Sequence, residues 1–326
     1  MATIKDVARE AGLTVGTVSR VLNNRGYISE ATRQKVYQVM KELNYQPNEV
    51  ARSLSKSRTN TIGVIVPHIV HPYFAKLISN LEKAASNQGY KMLLCNSREE
   101  RERELEYLDM LKSNRVAGLI LCSATVKTES LAGLDIPVIT LERNVGMGTA
   151  SVECDNYQGG AMAAKHLIDC GCKYLINLGG VEQTEMPADS REVGFFDMCS
   201  KYGVTGITRK SRENEYYAME YHAYIEKIIL ENPQADGIFA SSDLIAAQVL
   251  QVCSRLGIKV PEQMKVVGFD DVNVASLTIP TITTIHQPVK EMAETAVELI
   301  IKSNKGEMIP TRTLLPVSLI KRGSAP

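Results

Sequence analysis

The sequence has no tryptophan and only five phenylalanines. It has no run of about 18 apolar residues, so no membrane-spanning helix is expected. The opening MATIKDVAREAG places Lys5, Asp6, Arg9 and Glu10 where a secretory leader needs an apolar core. A cytoplasmic protein is therefore expected. The seven cysteines (95, 122, 154, 170, 172, 199 and 253) are odd in number and scattered. That argues against a disulfide framework and for reduced, mostly buried thiols. Only Cys170 and Cys172 are close, and one intervening residue is not zinc spacing. The five histidines (68, 71, 166, 222 and 286) form no metalloprotease pattern, and His68 and His71 read as hydrogen-bonding residues at a strand end. No GxSxG, P-loop or GxGxxG is present. Nothing calls for catalysis, and no enzyme, metal site or cofactor is expected.

Net charge is also absent, with 37 Lys and Arg against 37 Asp and Glu. The zero hides an asymmetry. Residues 1–60 carry ten basic and five acidic groups, whereas the rest carry 27 and 32. A small basic head on a larger acidic body points to a nucleic-acid module joined to something else. With 326 residues, 44% of them apolar, the chain is long enough for two or three globular domains.

In the head, Thr3 precedes the periodic run Ile4, Val7, Ala8, Ala11 and can cap a helix with Asp6 as reciprocal acid. Gly12 ends it. Thr14 caps a second helix with Val18, Val21 and Leu22 inward. Ser29 caps a third, with Val36, Val39, Met40 and Leu43 inside. Two short helices joined by a tight turn, with a third behind, are a helix-turn-helix. The alternative is a helical hairpin of an all-α subdomain. The second helix is the one to enter a major groove. Thr14, Thr17 and Ser19 offer hydroxyls to phosphates. Arg20 can read guanine and Val15 a thymine methyl. Gly16, without a side chain, allows close approach.

The segments TIKDVAREAGLTVGTVSRVLNN and ISEATRQKVYQVMKELNYQPNEVARSL resemble the DNA-binding head of the LacI/GalR family of bacterial repressors, nearly continuously over residues 3–54. The resemblance adds Thr3, Asn23, Tyr45, Ala51, Leu54 and Ser55 to the expected DNA contacts. It implies that residues 47–54 are a hinge helix that folds on the operator, in pairs, in the minor groove. Leu54 matches the leucine that wedges into the central base step. Eight residues are too few for a stable isolated helix, and an apolar wedge flanked by basic groups is a minor-groove device. An ordinary linker hydrophobe is the other reading of Leu54. Residues 55–60 read as a polar linker.

Beyond residue 60, short apolar strands alternate with helical stretches. Strands are predicted at 61–66, 90–95, 116–122, 136–141, 174–178, 236–240, 265–269 and 281–285. Helices are predicted at 73–88, 99–114, 156–170, 191–202, 217–231, 243–256 and 288–303. Repeated βαβ units mean parallel sheets with helices on both faces. About 260 residues of this pattern fit one large sheet or two lobes. TIGVIVPHIVHPYF, IPVITLERN, VECDNYQGG, ADGIFASSDL, MKVVGFDDV and TITTIHQP resemble the family's core. The resemblance implies an all-α head (1–46), a hinge and linker (47–60), and an α/β body (61–326) of two doubly wound, periplasmic-binding-protein-like lobes. The N-lobe is placed at about 61–157 and 290–317, the C-lobe at about 160–287 and 320–326. Crossovers are expected near 155–162, 286–291 and 317–321.

An effector would sit between the lobes, at the carboxyl ends of the strands. Tyr73 and Phe74 follow the first strand and can stack on a sugar face, or belong to a packed helix start and dimer contact. Glu142 can bind adjacent hydroxyls or pair with Arg143. Asp155 and Asn156 read as a structural helix cap. Arg191 sits at a helix start, where a cation opposes the dipole, and matches the family's effector-contacting arginine. Asp270 matches its effector-binding aspartate, with Asp271 where other members have asparagine. Ser242 and Asp243 follow a strand, though Asp243 also reads as an N-terminal helix acid. Tyr216 or Tyr217 supplies an aromatic wall.

This candidate set is acid-rich with one arginine, which favours a neutral mono- or disaccharide over a phosphate. The resemblance to sugar-operon repressors points to sucrose or a related fructose- or glucose-containing sugar. The expected partners are pseudo-palindromic double-stranded operator DNA and a second copy of the chain. The ending TLLPVSLIKRGSAP leaves no room for a tetramerising heptad helix. Inducer release is the expected response. The alternatives are a catabolite-type regulator with a protein or phosphorylated-sugar co-repressor, and a sugar-transport protein, which would need a leader in place of the basic head.

Overall fold

The computed structural model describes residues 2–22, 26–45, 59–123, 125, 128–131, 133–143, 149–181 and 186–326. The chain divides into two compact units, Met1–Thr59 and Asn60–Pro326. In the first, α1 (Ile4–Glu10), α2 (Val15–Leu22) and α3 (Glu30–Glu42) surround a small core. Thr3 and Asp6 form a reciprocal capping box. The Asp6 amide donates to Thr3 Oγ1, and the Thr3 amide donates to Asp6 Oδ2 at 2.9 Å. Gly12 adopts φ +61°, a left-handed stop that releases the chain into the turn. Thr14 Oγ1 accepts from the Thr17 amide at 3.1 Å, and Ser29 Oγ from the Thr32 amide at 3.3 Å. Val7, Ala8, Ala11, Val18, Val21, Val36 and Val39 are buried together, with Leu22, Met40, Leu43 and Tyr45 packed against them. The expected hinge helix and Asn23, Ala51, Leu54 and Ser55 lie outside the described residues.

The second unit holds two six-stranded sheets. The first contains β1 (Thr61–Val66), β2 (Lys91–Asn96), β3 (Gly118–Leu121), β4 (Val138–Leu141), β5 (Thr149–Cys154) and β11 (Arg312–Leu315), in the order β11-β5-β4-β3-β1-β2. All its pairs are parallel, for example Ile62 opposite Gly118 and Ile139 opposite Ala150. The second contains β6 (Tyr174–Val181), β7 (Thr205–Ser211), β8 (Gly237–Ala240), β9 (Lys265–Asp270), β10 (Thr283–His286) and β12 (Ser318–Ile320), in the order β12-β10-β9-β8-β6-β7. Its edge strand β12 runs antiparallel to β10, Ile285 opposite Leu319, so this sheet is not purely parallel as the sequence suggests. The central strands β3, β4 and β8 are buried throughout, as strands covered on both faces must be.

Helices α4 (Pro72–Asn87), α5 (Arg101–Ser113) and α6 (Thr128–Leu131) belong to the first lobe. The chain leaves that lobe after β5 and enters α7 (Asn156–Asp169), followed by β6 and α8 (Ser190–Tyr202). Helices α9 (Glu213–Ala218), α10 (His222–Glu231), α11 (Asp243–Arg255) and α12 (Val274–Leu277) complete the second lobe. After β10 the chain returns as α13 (Val289–Asn304), which packs on α4, β4 and β5, and between β11 and β12 it crosses once more. Helices α7 and α8 touch backbone to backbone. A Cβ built on Gly160 would lie 1.9 Å from the Arg191 carbonyl oxygen, and one on Gly194 would lie 2.0 Å from that of Tyr157.

The helix predicted over 217–231 is two helices. Met219 breaks it with φ +56°. The Gln248 side chain fills the break, donating to the Met219 carbonyl at 2.9 Å and accepting from the Tyr221 amide at 2.7 Å.

Candidate effector cleft and nucleic-acid interface

On the head, the side chains predicted to face DNA divide by exposure. Val15 is 41% exposed, and Gly16 and Arg20 are exposed. Thr17 and Ser19 are half-buried, and Tyr45 packs on the head core. The Thr14 and Thr17 hydroxyls pair with each other at 2.9 Å, and the Thr3 hydroxyl bonds Asp6 at 2.7 Å. Their first role is to hold the helix starts. Tyr27, before α3, is 99% exposed.

In the body, a cleft opens between the lobes at the carboxyl ends of the strands. Tyr73, Phe74, Glu142, Arg191, Tyr216, Ser242 and Asp270 all line it. Arg191 is buried at the start of α8. Its Nε donates to Asn156 Oδ1 at 2.8 Å and its Nη1 to the Ser241 carbonyl at 2.7 Å. Its Cζ lies 3.5 Å from the centre of the Phe269 ring, a cation–π seat that fixes the guanidinium plane. Glu142 Oε1 accepts from the Cys154 amide at 2.6 Å and Oε2 from Asn156 Nδ2 at 2.8 Å. It therefore makes no ion pair with its neighbour Arg143, and its carboxylate keeps lone pairs for a ligand. Asn156, on the second lobe, thus ties Glu142 of the first lobe to Arg191. The sequence reading gave the pair 155–156 a capping role only. Asp155 does cap α7, accepting from the Gln158 amide at 2.9 Å; Asn156 is the hub.

Asp270 closes β9 with φ +106°, and Asp271 follows at φ +53°. Consecutive residues in these regions hold strain when neither is glycine. Gln287 Nε2 donates to Asp270 Oδ1 at 2.6 Å. Asp271 is clamped by Arg322 Nη2 at 2.6 Å and His286 Nδ1 at 2.9 Å. From the other lobe, Lys76 Nζ donates to the Asp271 carbonyl at 2.7 Å. Burial pushes the Asp270 carboxyl well up, and the neighbouring Asp243 adds to it. Burial also raises Glu142, against the pull of Arg191. His71 is pushed down to about 4 by burial, so it is neutral; its Nδ1 accepts from the Tyr73 amide at 3.2 Å.

Several polar atoms in the cleft are buried without a protein partner: Tyr73 Oη, Asn177 Oδ1, Gln287 Oε1 and His68 Nε2. Such atoms are costly to leave unpaired and mark where ligand groups fit.

Residues 3–48 match the family of bacterial regulatory proteins, lacI family, and residues 164–325 match a periplasmic binding protein-like domain. The chain is 35% identical to a ribose operon repressor of Halalkalibacterium halodurans, over 99% of this chain and 96% of that protein. The chain belongs to the LacI family of bacterial regulatory proteins. A sucrose operon repressor of Streptococcus mutans is 36% identical over 98% of each chain. The crystal structure of the lac repressor dimer bound to operator and the anti-inducer ONPF superposes with a TM-score of 0.87, at 26% identity and 99% coverage of both chains.

In this LacI-family chain one predicted effector residue lies away from the cleft. Asp243, fully buried at the start of α11, does not line it. Its carboxyl turns toward the sheet, where Oδ1 accepts from Thr284 Oγ1 at 2.5 Å and Oδ2 from the Val272 amide at 2.8 Å. Ser242 spends its hydroxyl capping α11, accepting from the Ile245 amide at 3.2 Å. The reading missed His68, His71, Asn177, Tyr221 and Gln287. His68 and Gln287 stand just after the carboxyl end of a strand, the signal that could have found them, whereas Asn177 lies within β6 and Tyr221 just before α10. Among the described residues no cluster of His, Cys, Asp and Glu fits a metal ion, and no helix is long and apolar enough to cross a membrane.

Proposed function

We propose that this chain is a transcriptional repressor that binds pseudo-palindromic operator DNA as a homodimer and lets go when a neutral sugar closes the cleft. Val15, Gly16, Thr17, Ser19 and Arg20 on α2 read the major groove, with Thr3, Thr14 and Tyr45 at the backbone. Asn23, Ala51, Leu54 and Ser55 complete the contact by family resemblance.

The observation that carries the sugar reading is the set of unpartnered buried atoms on Tyr73, Asn177, Gln287 and His68, beside Arg191, Glu142 and Asp270. A sugar hydroxyl both donates and accepts, so a polyol satisfies such a mixed set. Phe74 and Tyr216 supply apolar faces for its C–H side. Arg191 already faces the carboxylates of Glu142 and Asp270, and Arg143, the other arginine of the lining, faces that of Glu99, so both cations are already balanced by carboxylates. The names of the relatives, operon repressors for ribose and sucrose, agree with this ligand class. The cleft joins two lobes, so a ligand that touches both biases their closure, and a coupling of about 1–3 kcal/mol is typical.

The test is fluorescence anisotropy of the full chain on the promoter fragment upstream of its own gene, with sugars and sugar phosphates. Release by a neutral sugar is expected. Arg20→Ala weakens operator binding by about 1–3 kcal/mol and leaves sugar binding intact. Asp270→Ala abolishes the response and leaves operator binding intact. Specific binding that only a phosphorylated sugar or a protein partner alters refutes the neutral-inducer reading and favours a co-repressor.

A further inference from the structure

Behind the cleft wall lies a carboxyl group that the site described above does not use. Glu104 is in the first turn of α5. That helix starts just beyond the carboxyl end of β2 and runs back along the sheet. Leu108 and Leu111, one and two turns further on, pack with Leu119 and Leu121 of β3. Glu104 therefore sits on the face of α5 that covers the sheet, near the strand ends where the cleft opens. It is fully buried, and neither carboxyl oxygen has a hydrogen-bond partner. An acid suits the first turn of a helix, but an exposed acid serves that purpose equally well. Burying one without a bonded partner is costly.

The charge it faces is Arg143. Glu142 turns the backbone left-handed after β4, at φ +53°. Its carboxylate goes to Cys154 and Asn156, and Arg143 joins the lining of the cleft. Thr140, buried in β4, donates its hydroxyl to the Arg143 carbonyl at 2.6 Å and fixes that turn. Burial works against the charge of Arg143, and Glu99, Tyr216 and Glu104 support it, in that order. Glu99 lines the cleft itself, whereas Glu104 does not. The wall thus carries one cation toward the ligand and one sealed carboxylate behind it. A neutral sugar is indifferent to that balance. A phosphate is not: at an effective dielectric of about 20, a unit charge about 10 Å away changes an anion's affinity on the order of tenfold.

We infer that Glu104 is a specificity residue of the effector site, a buried carboxylate that offsets the field of Arg143 and so turns sugar phosphates away. This rests on the neutral-sugar reading given above. Glu104 touches no ligand; it acts through the charge of the wall.

The test is isothermal titration of the full chain with paired sugars: ribose and ribose 5-phosphate, glucose and glucose 6-phosphate, sucrose and sucrose 6-phosphate. The readout is the ratio of phosphate to neutral affinity within a pair. Glu104→Gln and Glu104→Leu are neutral replacements of different shape. Each is expected to raise the ratio about tenfold, and if only one of them folds, that one decides. Adding Arg143→Met to the Glu104 variant should return the ratio toward that of the parent. Two results overturn the inference while the parent still prefers a neutral sugar. One is an unchanged ratio, whether the two affinities hold or fall together, which marks Glu104 as structural. The other is a raised ratio that Arg143→Met does not reverse. If the parent binds a phosphate more tightly than its neutral partner, or binds no sugar, the neutral-sugar reading itself has failed and the inference falls with it.

Discussion

Replacing Gly16 with alanine should make the head more stable and the operator complex weaker. Gly16 is the second residue of α2, is exposed, and does not adopt a left-handed φ. A Cβ added there meets only Thr14 Oγ1, at 3.7 Å, an ordinary van der Waals contact. Nothing in the head therefore needs glycine. Alanine outperforms glycine by about 0.8–1 kcal/mol in a helix interior; in the first turn about half of that is expected. Exchange of the core amides of the head, such as those of Val18 and Val36, should slow about twofold in the full chain. On DNA the sign reverses. If the N-terminal turn of α2 presses into the groove, a methyl at position 16 has nowhere to go. Overpacking of that kind costs about 1–3 kcal/mol, or roughly 5- to 150-fold in affinity. Anisotropy titrations at one fixed salt concentration read it, since phosphate contacts make affinity salt-dependent. Unchanged or tighter operator binding by Gly16→Ala would refute the placement of α2 in the groove.

Three further substitutions probe the body. Asn156→Ala leaves Arg191 Nε and one Glu142 oxygen unpaired inside the protein. It should cost about 1–3 kcal/mol of stability and weaken every effector; an unchanged urea midpoint with normal effector affinity would remove Asn156 from the hub. Lys76→Met removes the bond from Lys76 Nζ to the Asp271 carbonyl across the lobes, which opening of the cleft must break. All effectors should lose affinity by the same factor, about fivefold for a half-buried charged donor, and Lys76→Arg should restore most of it. Losses that differ from ligand to ligand would contradict a role in closure. Burial pushes the Asp243 carboxyl, beside the likewise raised Asp270, well above its ordinary value of about 3.9 in the unfolded chain. The folded state therefore keeps a proton that the unfolded chain has lost, and stability falls as pH rises above about 4 toward neutrality. Asp243→Asn should flatten that slope in urea melts, and an undiminished slope would assign it to other groups.

The head was legible almost completely because its signals are local. Thr3, Thr14 and Ser29 announce helix starts by their own chemistry, and Gly12 the stop. The central strands β1, β3, β4, β8 and β9 were legible because burial on both faces demands continuous apolar runs. Strands β5, β7, β11 and β12 were not predicted. β7 reads TGITRKS and is mostly half-exposed at an edge, so nothing forces its composition. The break at Met219 was hidden because its cause, Gln248, lies 29 residues away. Asp243 and Asp270 look alike in sequence, each at the end of a strand. Only the backbone separates them: Asp243 begins a helix and turns its carboxyl to the sheet, whereas Asp270 at φ +106° turns toward the cleft. Asn156 was read as a cap because its partners, Glu142 and Arg191, are 14 and 35 residues distant.

The contact between α7 and α8 has a mechanical meaning. Most helix pairs meet through a layer of side chains, and that layer can yield. At Gly160 and Gly194 there is no such layer, and a carbonyl of each helix sits where the other's Cβ would be. The stretch carrying Arg191 and the stretch beginning at the Asp155 crossover therefore move as one stiff lever. No side-chain layer lies there to absorb a shift of one stretch before it reaches the other. One methyl at either glycine would act as a shim that forces the helices apart, and at Gly160 the atoms it strikes are the backbone of Arg191 itself.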